Sequence, residues 1–399
     1  VRAALLLCLA LAVGGDERDR VVLKGGKELR GRILLVDEER VVLRRSGREQ
    51  ELERGEVERL ESVRDALASL LEDARPTRIA RLDELELLAA RAEEYGLAGE
   101  AGSLRWRMLR LDPSSAAVHA ALGHRKRGGR FVVPLDGRQV SYDERVALAR
   151  DWGLAWSFSS LHYELRSNLS LEATLDLALE LERLYAAFFA LFGAELELRE
   201  VCTPMQFHVH ADRASFPESA GEVGRYEPDT DTVVVEASSG LEPLTWMHEA
   251  THQLLFVTAF KERGAQGEIP PWVNEGLAEY VATSVVGGPP LAIEPGLPCV
   301  RHFATQHAAK DAHDLKRVLS FSTTDYQAGS ERLLKYAQSY TLVHFLLHGE
   351  EGRHRRGFLD WLRLVYAGRG STTDLGKCLD ADWKPLEQAW RAHVAREAR

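Results

Sequence analysis

Apolar positions along the chain fall into three regimes. In residues 18–63 they come as short runs, Val21-Val22-Leu23, Ile33-Leu34-Leu35-Val36 and Val41-Val42-Leu43, separated by Gly25-Gly26, Asp37-Glu38-Glu39 and Ser46-Gly47. Runs of β-formers closed by turn residues predict short strands joined by tight turns. In residues 64–128 the period lengthens. Leu85, Leu88, Ala89, Ala92 and Leu97, then Leu104, Trp106, Leu109 and Leu111, follow helical spacing and predict paired helices. Asp112-Pro113 ends one helix and Ser114-Ser115 can cap the next. Arg125-Lys126-Arg127-Gly128-Gly129-Arg130 reads as a basic linker, or as a short phosphate patch.

The third regime, residues 140–399, mixes both periods. Trp156 to Leu165 reads as one strand, Leu171 to Phe192 as a long Leu-rich helix, and Met205 to His210 and Asp231 to Glu236 as two further strands. His208 and His210 alternate onto one face of their strand, but no acidic residue joins them at ligand spacing. The fold class expected is α+β. The opening segment is similar to small SH3-like β-barrels, which bind a partner or serve as packing modules. The helical segment resembles one or two tetratricopeptide-like helix pairs, too few for a self-sufficient array.

Composition narrows the partners. The 399 residues carry 51 Lys+Arg against 61 Asp+Glu, a net charge of −10, which gives no reason to expect nucleic acid. Residues 1–15 read as a short secretory leader, with Arg2, the apolar run Ala3 to Leu11, and Ala10-Leu11-Ala12 as a cleavage pattern. A secreted, periplasmic or cell-envelope protein without a transmembrane segment is therefore expected, a buried first element being the other reading of the leader. Cys8 would leave with the leader. Cys202, Cys299 and Cys378 remain, and they allow one disulfide or three thiols.

One motif carries chemistry. Met247-His248-Glu249-Ala250-Thr251-His252 contains His-Glu-x-x-His, which on a helix puts both imidazoles on one face, a turn apart. Two His in that relation can grip one zinc ion, with Glu249 placed to act as general base on its water. Ser238-Ser239-Gly240 offers caps and Pro243 suits a first turn, and Leu244, Met247, His248, Thr251, His252 and Leu255 share a face. The plain alternative is a capped core helix with two satisfied histidines. A catalytic zinc needs a third protein ligand. The metzincin extension would require Gly and His where this chain has Leu255 and Thr258. Downstream, Pro270-Pro271 opens a new helix with Glu275 in its first turn and Glu279 one turn on.

The segment Trp272-Val273-Asn274-Glu275-Gly276-Leu277-Ala278, after His-Glu-x-x-His, resembles the gluzincins, the zinc peptidases of the thermolysin and aminopeptidase type. The resemblance implies that Glu275 is the third zinc ligand. Twenty-two residues separate His252 from Glu275, a few more than is usual there, and the loop Lys261 to Ile269 absorbs the excess. Glu268 in that loop is a rival ligand. Glu279 is either a carboxylate orienting a zinc-bound His or a solvated helix residue. Tyr336-Ala337-Gln338-Ser339-Tyr340-Thr341-Leu342-Val343, in an apolar helix running to about His348, is similar to the aminopeptidase segment whose Tyr hydrogen-bonds the oxyanion. Tyr336 aligns with that residue, Tyr340 is the runner-up, and simple core packing is the alternative for both. His344 and His348, also at i and i+4, lack the intervening Glu and read as ordinary histidines. In the same likeness, the strand Asp231 to Glu236 is an edge strand that pairs with substrate.

The resemblance spans roughly Leu196 to Arg399, and the overall likeness is to uncharacterised bacterial secreted proteins with a gluzincin-like domain. It implies zinc-dependent hydrolysis of a peptide or protein substrate, with Glu249 as base and Tyr336 assisting. The N-terminal modules would recruit an envelope partner or substrate. Two other readings stand beside it, another zinc amide hydrolase and a non-catalytic envelope scaffold with a structural zinc. No Gly-x-Met-Glu-Asn-like motif is present to bind a substrate amine, which weighs against aminopeptidase action.

Overall fold

A computed structural model describes residues 18–74, 79–217, 223–261, 268–285, 298–308, 312–327 and 331–399. The leader and Cys8 lie outside the described residues, as does most of the loop from Lys261 to Ile269. The architecture is mixed α+β, and the chain divides into two compact units. The first comprises Val1–Ala186, Arg199–Glu218 and Glu236–Ser238; the second comprises Ala187–Leu198, Ser219–Val235 and Ser239–Arg399.

The first unit opens with strands β1 (Asp19–Leu23), β2 (Glu28–Val36), β3 (Arg40–Arg45), β4 (Arg48–Glu53) and β5 (Val57–Glu61), in the order β4-β3-β2-β1-β5. Val21, Leu29, Ile33, Val41, Leu43, Leu52 and Val57, drawn from all five strands, share one core. The expected barrel does not close, because β4 and β5 are not paired with each other. Each of these charged strands buries a single side chain, Leu52 and Val57, which leaves little apolar surface to seal a seam.

Helices α1 (Val63–Asp73), α2 (Leu82–Glu94), α3 (Ala98–Leu111) and α4 (Ala116–Ala121) follow. The expected α2–α3 pair is joined through Gly96, whose φ of +73° suits the residue that ends a helix. The basic stretch is not a linker. Strands β6 (Arg125–Arg127), β7 (Arg130–Leu135) and β8 (Arg138–Ser141) make a three-stranded antiparallel sheet. Gly128-Gly129 and Asp136-Gly137, all at positive φ, form its turns, the hairpin chemistry that the charges of the basic run obscured. After α5 (Tyr142–Leu148), the single strand expected over Trp156 to Leu165 is a hairpin of β9 (Trp156–Ser159) and β10 (Tyr163–Ser167). Helix α6 (Leu171–Phe192) has the expected bounds, and β11 (Met205–His210) runs parallel to β10.

A buried ionic cluster sits inside this unit. His162 Nδ1 lies 2.6 Å from Glu182 and Nε2 2.8 Å from Glu200, and Glu200 also meets Arg32 and Arg64, each at 3.3 Å. Burial alone would lower the imidazole pKa, but the two carboxylates outweigh it and hold the ring up to about 9. Among the described residues neither Cys202 nor Cys378 forms a disulfide.

The second unit contains strands β12 (Gly224–Glu227) and β13 (Thr232–Glu236), which form an antiparallel hairpin. Helices α7 (Pro243–Phe256), α8 (Pro271–Val285), α9 (Pro298–Ala308), α10 (Leu315–Leu319), α11 (Thr323–Gln327), α12 (Arg332–Gly352), α13 (Arg355–Tyr366), α14 (Thr372–Leu379) and α15 (Trp383–Glu397) complete it. Helix α8 packs against both α7 and α12. Its start is anchored by Trp272, which stacks on Trp361 of α13 with ring centroids 5.6 Å apart. Regular α12 geometry stops at His348, since Gly349, Glu350 and Glu351 are non-helical. No helix among the described residues is long and apolar enough to cross a membrane.

Candidate metal centre

Helix α7 begins with Pro243 at its first position, as the sequence suggests, but Glu242 takes the cap position instead of the Ser238-Ser239-Gly240 stretch. Its buried side is Trp246, Met247, Ala250, Thr251, Gln253, Leu254 and Leu255, whereas Leu244 is exposed. His248, Glu249 and His252 stand at the border of that buried side, partly accessible. A π-helical turn over Val257–Lys261 ends the helix, a feature often found near functional sites.

Helix α8 brings its first turn to the two histidines. Glu275 Oε2 lies 3.2 Å from His248 Nε2 and 3.4 Å from His252 Nε2, and the two Nε2 atoms are 3.0 Å apart. Zinc–nitrogen and zinc–oxygen bonds of about 2.0–2.2 Å put tetrahedral ligand atoms about 3.3–3.5 Å from one another. Glu275 Oε2 is buried and makes no hydrogen bond despite its two nitrogen neighbours. The three atoms lie within 3.4 Å of one another, close enough for one cation to be shared among them. His248, His252 and Glu275 are the group that could hold a metal ion among the described residues. Glu268 is exposed and outside that group.

The surroundings suit the charge of one ligand and not of another: burial lowers the His248 pKa, but Glu279 and Glu275 outweigh it and raise it well above the ordinary value, so a metal must displace a proton there. Burial works against ionisation of Glu275, but His252 and His248 pull its carboxyl far below the usual carboxylate range. Glu279, one turn along α8, puts Oε1 3.2 Å from His248 Nδ1, the other nitrogen of that ring. A carboxylate there favours a proton on Nδ1, the form that leaves Nε2 free to coordinate, although the contact falls short of hydrogen-bond geometry. His252 Nδ1 likewise makes no hydrogen bond among the described residues.

Gly276 explains how α8 comes so close. A Cβ there would fall 2.6 Å from the Ser339 carbonyl oxygen and 2.7 Å from Val343 Cγ2 on α12. The same contact brings α12 within reach of the centre. The Tyr336 ring meets His248 edge-on at 5.8 Å, with the Arg332 guanidinium 5.6 Å from its centroid and the Tyr326 ring at 5.4 Å. Burial, then Glu275, push the Tyr336 phenol above its ordinary pKa, which keeps it a proton donor at neutral pH. Tyr340 is buried instead between Phe303 and His344, away from these groups.

The other histidines pack. His348 Nε2 meets the Tyr280 hydroxyl at 2.9 Å, and His344 Nδ1 meets His393 Nε2 at 2.9 Å. His210 stacks on Trp152 at 3.7 Å.

No pattern in the sequence marks β12. All four of its residues are half-buried, with no alternation to mark a strand. It occupies the outside of the hairpin and, among the described residues, pairs only with β13, so the edge position expected for Asp231 to Glu236 belongs to β12. A Cβ on Gly224 would lie 3.1 Å from Glu249 Cγ and 3.4 Å from Thr245 Cγ2, so β12 runs directly over the Glu249 side of α7.

Residues 244–364 match a family model described as a protein of unknown function, DUF1570. The matched stretch includes His248, Glu249, His252, Glu275, Glu279 and Tyr336. The chain matches no curated protein.

Proposed function

We propose that this chain is a zinc-dependent peptide hydrolase of the gluzincin kind. The observation that carries the reading is the spacing of His248 Nε2, His252 Nε2 and Glu275 Oε2, 3.0–3.4 Å apart, with Glu249 beside them yet outside the donor set. Zinc suits two imidazoles and one carboxylate, and when bound it supplies Lewis acidity to a water and to a carbonyl oxygen. A structural zinc closes its shell with four protein ligands; among the described residues the group offers three, which supports a catalytic rather than a structural site.

The chain's own groups then divide the work. Glu249 accepts a proton from the attacking water on a carboxylate oxygen and passes it to the departing amine nitrogen. Tyr336 donates its phenolic O–H to the oxygen on which charge develops. Glu279 favours the coordinating tautomer of the His248 ring. The edge of β12, unpaired on its outer side among the described residues, receives an extended peptide as one more strand, which directs the substrate to peptides and unfolded segments rather than compact proteins. Export and an envelope partner for the N-terminal modules belong to the same proposal.

Glu249→Gln tests it. That variant should keep its zinc while peptide cleavage falls by about two orders of magnitude or more. Unchanged turnover would remove Glu249 from the mechanism, and a wild-type chain that cleaves no member of a peptide library would favour the scaffold reading.

A further inference from the structure

Asp231 occupies a left-handed backbone conformation, φ +51°, where the turn of the β12–β13 hairpin meets β13. Short polar residues tolerate that region better than others, yet it still costs about 1–2 kcal/mol. Three side chains from different segments converge on its carboxylate. The Tyr226 hydroxyl of β12 donates at 3.2 Å, Gln253 Nε2 of α7 lies at 3.4 Å, and Lys261 Nζ of the π-turn lies at 2.7 Å. Gln253 Nε2 also donates to the Asp231 carbonyl at 2.9 Å. Gln253 is fully buried. The Tyr226 ring packs on Phe256 of α7 at 5.8 Å.

These contacts fix a register. Gly224 and Tyr226 are two apart and share one face of β12. That face meets α7 at both points, Gly224 over Thr245 and Glu249, Tyr226 over Phe256. Two strand residues span about 6.6 Å, and the four-residue step from Glu249 to Gln253 spans about 6 Å of helix. The clasp at Asp231 therefore locks one end of β12, while at the other end a Cβ on Gly224 would lie 3.1 Å from Glu249 Cγ.

We infer that Asp231 is a positioning residue for the reaction: by clasping β12 to the metal-bearing helix through Tyr226, Gln253 and Lys261, it sets where an extended peptide lies relative to Glu249. The inference rests on the peptidase reading for its substrate, but the clasp itself does not. Asp231 touches neither the metal group nor the substrate, so its loss acts on placement.

The full chain, loaded with zinc, is compared with Asp231→Ala, Asp231→Asn and Lys261→Ala by metal content, backbone hydrogen exchange and peptide kinetics. Asp231→Ala should keep its zinc, exchange the amides of residues 224–227 at least about tenfold faster, and raise KM about tenfold while kcat changes less than about threefold. Asn retains the acceptor facing Tyr226 and Gln253, so Asp231→Asn should restore most of the KM. Lys261→Ala, which removes one half-exposed arm, should fall between, and it serves where Asp231→Ala fails to fold. Unchanged exchange in β12 would overturn the clasp. Faster exchange with an unchanged KM would overturn its role in placing substrate. A wild-type chain that cleaves no peptide overturns the peptidase reading and this substrate role together, while exchange in β12 still decides the clasp.

Discussion

Gly276 and Ser339 meet backbone to backbone: a Cβ on the glycine would stand 2.6 Å from the serine carbonyl oxygen. The glycine follows Glu275, and the serine is three residues past Tyr336, so one contact sets the separation of the helices that carry ligand and phenol. Neither obstacle can yield cheaply, one being backbone and the other a packed Val343 methyl. Gly276→Ala should therefore push α8 off α12, destabilise the chain by about 1–3 kcal/mol, and weaken zinc binding although no ligand changes. Thermal unfolding with and without metal, together with zinc titration, measures both effects. A variant with wild-type zinc affinity would mean that the α8–α12 contact does not aim Glu275.

The two glutamates of α8 should separate cleanly. Glu275 puts its oxygen near the Nε2 atoms of both histidines, whereas Glu279 reaches only Nδ1 of His248. Glu279→Ala should cost about 10–100-fold in zinc affinity, the usual cost of losing an orienting partner. Glu275→Ala should cost more, because it removes a ligand. Competition titration against a chelator of known affinity ranks them, and the opposite order would reassign the third ligand.

Tyr336→Phe keeps the ring against His248 and removes only the hydroxyl. Zinc content should be unchanged. Peptide turnover should fall by about 10²–10³ in kcat, the usual effect of losing one oxyanion donor. Tyr340→Phe, in a ring that packs on Phe303, should leave kcat nearly unaltered. If the two variants behave alike, neither phenol assists the reaction.

The candidate metal centre was legible because its signals are local. His-Glu-x-x-His fixes i and i+4 on one helix, and Pro270-Pro271 starts another with Glu275 in its first turn. Nothing local announces β12: Gly-Arg-Tyr-Glu has no alternation of apolar and polar residues, and its role comes from lying over Glu249. The clasp at Asp231 was equally hidden, since its partners Gln253 and Lys261 come 22 and 30 residues later. In the basic stretch, charge masked a hairpin whose Gly128-Gly129 and Asp136-Gly137 turns were in plain view. His162 read as part of a strand, because the carboxylates that hold it arrive 20 and 38 residues later.

That buried histidine makes the first unit sensitive to alkali. His162 titrates near 6.5 in an unfolded chain and is held up to about 9 in the fold by Glu182 and Glu200. A raised pKa means that the folded state binds the proton more tightly. The stabilisation is therefore complete below about pH 6.5 and is lost as pH rises through about 9. Its upper size is on the order of 3 kcal/mol, from the two pKa values and 1.36 kcal/mol per unit. Glu100, another buried group of this unit, is raised to about 7 by burial and by Glu182, so its own effect is spent largely below the window from pH 7 to 9. Across that window the urea midpoint of the wild type should fall. In His162→Gln the decline should flatten, and the variant should be much the less stable form at pH 7, because Glu182 and Glu200 would lose their buried cation. Parallel pH profiles for the two proteins would show that His162 is neutral in the fold and that Arg32 and Arg64 alone carry the counter-charge of Glu200.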